Sequence, residues 1–101
     1  MRYALGGKGQ VDEAEAAIKE ARRIWKQAAD VLPADRAFGM AKLDLLDVLY
    51  GAQTNCDNAV AERIDAKNGE ATMTPSERET IEKSYLPLAE RTLLRYCFPA
   101  P

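Results

Sequence analysis

Apolar residues recur every three or four positions in three separate segments of the chain. In the first segment they are Val11, Ala14, Ile18, Ala21, Trp25, Ala28 and Leu32. This spacing is typical of one face of an amphipathic α-helix, which we predict over residues 11–32. Pro33 follows directly. Because a proline disfavours helical geometry in the residue before it, we expect the helix to end at Leu32.

A second helix is predicted over residues 35–67, with Asn68 and Gly69 as its stop signal. Its apolar residues fall into two groups on different sides of the helix, which is expected of a helix packed between two neighbours. Gly51 and the four residues after it, Ala-Gln-Thr-Asn, include weak helix formers. The helix is therefore expected either to run on as one long element or to break near Gly51.

A third helix is predicted over residues 75–97. Thr74, Pro75 and Glu77 have the spacing of a capping box with proline in the first turn. Pro87 lies inside this helix, and because proline lacks a backbone N–H and crowds the preceding turn, we expect a kink or a short break there.

These three segments predict an all-α fold. Short connections between helices favour antiparallel neighbours, so we expect an antiparallel three-helix bundle with a long middle helix. A flexible arm is predicted for residues 1–10 and a non-helical tail for residues 98–101. The length of 101 residues is that of one domain.

Charge and composition exclude several function classes. Fourteen basic and sixteen acidic residues are spread along the chain and give a net charge of −2, so we do not expect a nucleic-acid partner. No apolar run is long enough to cross a membrane, and the first ten residues lack the apolar stretch of a secretory signal. These features predict a cytoplasmic protein.

The two cysteines, Cys56 and Cys97, do not have the spacing of a metal or redox motif. Setting residue 75 opposite residue 67 in the predicted bundle places Cys56 opposite residue 86. Cys97 then lies about 16 Å further along, at ~1.5 Å per residue. A disulfide requires Cα atoms within about 7 Å, so two free thiols are predicted.

Candidate chemistry is sparse. Asp44 and Asp47 lie three residues apart, and paired carboxylates can serve acid–base chemistry or bind a divalent cation. The chain has no histidine, which carboxylate metal sites in helical bundles use. We therefore interpret the two aspartates as part of a solvated helix face. We predict no catalytic residue, metal, cofactor or small-molecule substrate, and we do not expect an enzyme.

Residues 74–81 read Thr-Pro-x-Glu-Arg-Glu-x-Ile, which resembles the opening of the DNA-binding domain of LuxR-type transcription factors. The resemblance implies a helix-turn-helix that reads DNA. Residues 82–97 depart from that pattern, since they contain neither a glycine turn nor a basic recognition helix. The capping box alone accounts for the shared residues. A DNA-binding regulator is accordingly the third of our function hypotheses.

Three residues do not fit the core of the predicted bundle: Leu43, Tyr50 and Leu94. Leucine beside tyrosine at the surface is typical of contact sites, so we predict a protein-binding surface there. The sequence therefore favours a small non-catalytic interaction module, such as an adaptor, an inhibitor or an accessory subunit. The second hypothesis is a structural subunit that assembles with copies of itself. The predicted partner is thus another protein or a second copy of this chain.

Overall fold

A computed structural model describes residues 8–98 of the chain, and side chains from Val11 onward. Within this range the chain is helical and has no β-strand, which confirms the predicted all-α class. The helices are α1 (Lys8–Gln27), α2 (Pro33–Gly51), α3 (Cys56–Gly69), α4 (Pro75–Thr80) and α5 (Leu86–Tyr96). A 3₁₀ turn, Glu70–Thr72, follows α3, and a π-helical segment, Ile81–Tyr85, joins α4 to α5 without a break. The described chain therefore folds as four helical rods.

The break near Gly51 replaces the long middle helix, so the predicted count of three helices is wrong. The backbone N–H groups of Thr54 and Asn55 both donate to the Gly51 carbonyl, at 3.0 and 2.9 Å. The Asn55 side chain then caps α3 by accepting a hydrogen bond from the Asn58 N–H at 3.0 Å. Because this tight turn satisfies its own backbone groups and starts a new helix, the weak helix formers there need not continue α2.

Helix α1 ends at Gln27, earlier than the predicted Leu32. Arg36, in the first turns of α2, donates to the carbonyl oxygens of Trp25 and Ala28. Carbonyls at a helix end lack partners within the helix, so this side chain stabilises the early stop. Pro33 begins α2, a position where the missing N–H costs nothing.

The predicted terminal segments lie mostly outside the described residues. Residues 8–10 of the predicted arm belong to α1, and the structure does not describe residues 1–7. Of the predicted tail, Phe98 is described and follows the end of α5.

The hydrophobic core lies among α2, α3 and the rod that ends in α5. Its buried residues are Ala41, Leu45, Val48, Ala52, Ala59, Ala66, Met73, Ile81, Leu86, Ala89 and Leu93. The largest fully buried side chains come from α2 and the π segment, whereas α3 contributes only alanines. The apolar packing of α3 therefore relies on small side chains. Ion pairs and the other contacts described below also fix its position.

Helix α1 packs against α2, outside this core. Ile18 is its buried apolar residue, and Trp25 lies directly on Gly39 of α2. A Cβ atom at position 39 would overlap the indole ring, so glycine is what allows the two helices to approach there.

The interruption predicted near Pro87 takes the form of the π segment just before it. The Leu86 N–H donates to the Ile81 carbonyl, five residues back, as in a π turn. Pro87, which has no backbone N–H to donate, then falls in the first turn of α5. The wider turn removes the crowding that a proline inside a continuous α-helix would cause.

Helix α3 and the last rod pair in a different register from the predicted one. Lys67 contacts Glu82, and Arg63 contacts Glu90. Residue numbers thus fall along α3 as they rise along α5, but residue 82 and not residue 75 lies opposite Lys67. The 3₁₀ turn and α4 carry the chain past the end of α3 before the pairing starts.

This register brings the two cysteines together. The Cα atoms of Cys56 and Cys97 are 5.6 Å apart, and their sulfur atoms form a disulfide. The prediction of two free thiols is therefore wrong. It assumed that pairing begins at residue 75, which displaced Cys97 by about eleven residues, or about 16 Å along a helix.

Candidate functional site

An apolar groove lies between α3 and α5. We call it the α3–α5 groove, and its volume is about 520 Å³. It is lined by Val60, Arg63, Ile64, Glu90, Leu93, Leu94 and Phe98. Those on α3 and α5 recur at three- and four-residue intervals, so the facing stripes of two helices form its walls, and Phe98 follows the end of α5.

Three of the lining residues are large apolar side chains left in solvent. The exposed fraction is 60% for Leu94, 56% for Phe98 and 47% for Ile64. Single exposed apolar residues are common at protein surfaces, whereas a contiguous group around a cavity is typical of an interaction site. The groove is therefore the best candidate for a binding site in the described chain.

Charged residues flank the groove. The Arg63 guanidinium donates to the Glu90 carboxylate across it, so these two charges neutralise each other. Arg91 and Arg95 form an exposed row beside Leu94 on the outer side of α5. Asp57 is exposed in the first turn of α3, on the opposite side. Exposed charges of both signs therefore stand on the two helices that form the groove.

The three residues predicted as a binding surface do not come together. Leu94 lines the groove, but Leu43 and Tyr50 lie on α2 and are not among its lining residues. Tyr50 is 38% exposed, while Leu43 is half-buried. Sequence reasoning missed Ile64 and Phe98. Ile64 lies within the predicted middle helix, and Phe98 in the predicted tail beyond the last helix.

A cluster of charged side chains, separate from the groove, joins α1 to α2 and α3. Nη2 of Arg22 lies 2.9 Å from Asp44 Oδ1, 3.5 Å from Asp47 Oδ2 and 2.5 Å from Glu62 Oε2. We call these four residues the Arg22 cluster. One guanidinium thus faces three carboxylates, two of which belong to buried residues, Asp47 and Glu62.

Two carboxyl groups of this cluster, those of Glu62 and Asp44, have raised pKa values. Burial, with a smaller contribution from the neighbouring Asp47, raises the pKa of Glu62 to about 8 against the opposing effect of Arg22. Burial also raises the pKa of Asp44 to about 6, although Arg22 again opposes the shift. Glu62 is therefore largely protonated at neutral pH, which removes part of the excess negative charge.

Asp44 and Asp47 are thus not the solvated face that the sequence suggested. Helix α1 covers this side of α2 through Arg22, which the periodicity of each helix taken alone does not reveal. Raised carboxyl pKa values are typical of acid–base sites, but the residue with the largest shift, Glu62, is only 5% exposed. Arg22 also fills the place that a cation would take. The arrangement fits a structural link between helices.

No group of three or more His, Cys, Asp or Glu residues in the described part of the chain is arranged to hold a metal ion. None of the helices of residues 8–98 has both the length and the apolar character needed to cross a membrane.

The segment that resembles a LuxR-type opening does begin a helix. Thr74 accepts from the Glu77 N–H at 3.2 Å, and Glu77 accepts from the Thr74 N–H at 3.0 Å, as in a capping box. Helix α4 then continues through the π segment into α5, without the turn of a helix-turn-helix motif. The resemblance is therefore explained by local capping.

No protein-family model matches this chain, and comparisons with curated proteins and with solved structures find no similar protein.

Proposed function

We propose that this protein is a small non-catalytic helical module that binds another protein through the α3–α5 groove. The exposed side chains of Ile64, Leu94 and Phe98 around an apolar cavity carry this proposal. Leaving such side chains in water is unfavourable, and a partner that covers them gains the free energy of their burial. An adaptor, an inhibitor or an accessory subunit would each use a groove of this kind.

The shape of the groove favours an amphipathic helix as the bound element. Its walls are two helices, and the space between them is about 520 Å³. An amphipathic helix places its apolar stripe in such a groove and leaves its polar sides at the rim. Arg91 and Arg95 form no ion pair with a described residue, so acidic residues on the partner's flank would complement them.

A site-specific photo-crosslinker at position 94, introduced in the native host, tests this proposal. The expected result is one crosslinked protein whose attachment point lies on an amphipathic helix. Capture of that protein is expected to be lost when Ile64→Asp is combined with the crosslinker at position 94, because a carboxylate would be buried in the apolar contact. Ile24→Asp is the matched control, since Ile24 is 55% exposed on α1 away from the groove.

Capture that survives Ile64→Asp would overturn the proposed site. The variants Leu43→Asp and Tyr50→Asp decide whether the surface predicted on α2 contributes. If capture is lost only in these two variants, the binding site lies on α2 and not in the groove.

Assembly with a second copy of this chain is the second candidate function. It is favoured by two exposed residues of opposite charge, Asp57 on α3 and Arg91 on α5, which two copies related by a two-fold axis would pair across their contact. Light scattering at micromolar concentration separates the two candidates. A dimer that Leu94→Asp dissociates supports self-assembly, and a monomer supports binding to a different protein.

The other predictions about function remain proposals. A low-salt mobility-shift assay tests DNA binding, since nonspecific binding is strongest at low salt. The cytoplasmic location stays a prediction from the sequence. The Cys56–Cys97 disulfide instead favours an oxidising compartment, where such bonds persist.

A further inference from the structure

The Cys56–Cys97 disulfide closes one end of the α3–α5 groove. Cys56 begins α3 one turn before Val60, and Cys97 follows Leu93 by one turn. Phe98, which lines the groove, is the next residue after Cys97. The covalent bond therefore fixes the backbone on both sides of the groove at the same end.

The remaining contacts between α3 and α5 are weaker restraints. The fully buried apolar residues of α3 are Ala59 and Ala66, whose small side chains bury little surface. The ion pair of Arg63 with Glu90 is partly exposed to solvent, and such pairs contribute little. Leu93 packs in the core one turn before Cys97, and beyond Leu93 the disulfide is the covalent restraint that ties the end of α5 to the first turn of α3.

We propose that the redox state of the Cys56–Cys97 pair controls the shape of the α3–α5 groove, so that the oxidised protein presents the groove to its partner and the reduced protein does not. This inference rests on the proposed function, because it concerns the regulation of the same site. Reduction frees the last turn of α5, and the Phe98 and Leu94 side chains lose their fixed position relative to Val60 and Ile64.

The reaction is ordinary thiol–disulfide exchange with a cellular dithiol, or with two molecules of a monothiol such as glutathione. A thiolate attacks one cysteine sulfur, and the other cysteine leaves as a thiolate. A second thiolate then attacks the mixed disulfide and releases the first cysteine. Two electrons and two protons pass to Cys56 and Cys97, and the reductant becomes a disulfide. Both cysteines are half-buried and not fully enclosed, so the bond is within reach of a small thiol.

Methyl carbon–proton NMR spectra of the full chain test this inference in the native state. On addition of a phosphine reductant, we expect the methyl signals of Val60, Ile64 and Leu94 to shift or broaden. The signals of Ile18 and Val48, which lie outside the groove, are expected to stay in place. Reoxidation is expected to restore the original spectrum.

The double variant Cys56→Ser/Cys97→Ser separates the loss of the bond from any effect of the reductant. Without reductant, its spectrum is expected to match that of the reduced wild type, with helical content retained by circular dichroism. Unchanged groove methyl signals after complete reduction would overturn the inference. Loss of all dispersed signals would also overturn it, because the bond would then hold the whole fold and not the groove.

These spectra require no partner, so they decide the redox coupling even if the crosslinking experiment rejects the proposed function. Conversely, a partner captured through position 94 with equal yield from oxidised and reduced protein would support the proposed function and contradict the redox control.

Discussion

Trp25 and Gly39 illustrate how one pair of residues sets the distance between two helices. Glycine inside a helix normally costs about 1 kcal/mol relative to alanine. Here the indole ring of Trp25 occupies the space where a Cβ at position 39 would stand. The contact of α1 with α2 therefore requires that position 39 has no side chain. The close packing of the two helices offsets the helix-propensity cost of glycine.

We predict that Gly39→Ala destabilises the protein, although alanine is the better helix former. Overlap with the Trp25 ring is expected to lower the free energy of unfolding by about 1–3 kcal/mol, as in other overpacked cores. Gly69→Ala is the matched control, since a Cβ there meets its nearest atoms at 3.8 and 3.9 Å. Urea unfolding of both variants measures the effect, and equal stability of the two would contradict the packing argument.

The Arg22 cluster gives a second residue-scale prediction, for the dependence of stability on pH. The pKa of Glu62 rises from its ordinary value of 4.5 to about 8 in the folded protein. A raised pKa means that the folded state binds the proton more tightly than the unfolded state. Its contribution to stability is therefore fully present below pH 4.5 and is lost as pH rises through about 8.

The free energy of unfolding is thus predicted to fall between about pH 5 and pH 8, by at most about 1.4 kcal/mol per pH unit for this group. Asp44 adds to the decline below pH 6. Urea unfolding across this range should show a weaker decline in Glu62→Gln, which stays neutral, than in the wild type. Glu13→Gln, an exposed change on α1, is the control. A stability that increases towards pH 8 would refute the assignment.

At the scale of the elements, the turn at residues 51–55 decides the architecture. The sequence indicates a weak point at Gly51 but leaves open whether the helix breaks there. Whether the helix breaks depends on two sets of hydrogen bonds, the Asn55 cap and the turn closed at the Gly51 carbonyl. Both form only when the chain turns at residues 51–55. Helix existence could therefore be predicted from periodicity, whereas the number of helices could not.

We predict that Asn55→Ala destabilises the protein by about 1 kcal/mol, because the Asn58 N–H at the start of α3 loses its acceptor. Asn68→Ala is the matched control, since Asn68 is exposed in the last turn of the same helix. Thermal unfolding of the two variants compares them. An equal melting temperature for both would show that the cap does not stabilise α3.

The candidate site was harder to predict than the helices, for a reason that also lies at this scale. Leu94 was identified because it falls outside the apolar face of its helix. Ile64 and Phe98 join it only when α3 and α5 pair in the observed register. That register depends on the 3₁₀ turn and α4, which extend past α3 before pairing begins. Helical periodicity within single segments carries no information about such an offset.

At the scale of the whole molecule, one covalent bond ties the two helices that form the groove. Cys56 and Cys97 are 41 residues apart in sequence. Closing a loop of that length lowers the entropy of the unfolded chain and is expected to stabilise the fold by about 4 kcal/mol. We predict a loss of about this size in urea unfolding of Cys56→Ser/Cys97→Ser relative to the oxidised wild type. A loss below about 1 kcal/mol would contradict the crosslink's stabilising role.

Peptide mapping of the protein, folded and purified without reductant, tests the register on which the groove depends. Trypsin cleaves after Lys42, Arg63 and Arg95, which places the two cysteines in separate peptides. The account predicts that peptide 43–63 is recovered linked to the peptide that begins at Tyr96, and that reduction separates them. Recovery of both peptides with alkylated, unlinked cysteines would contradict the α3–α5 register and with it the groove.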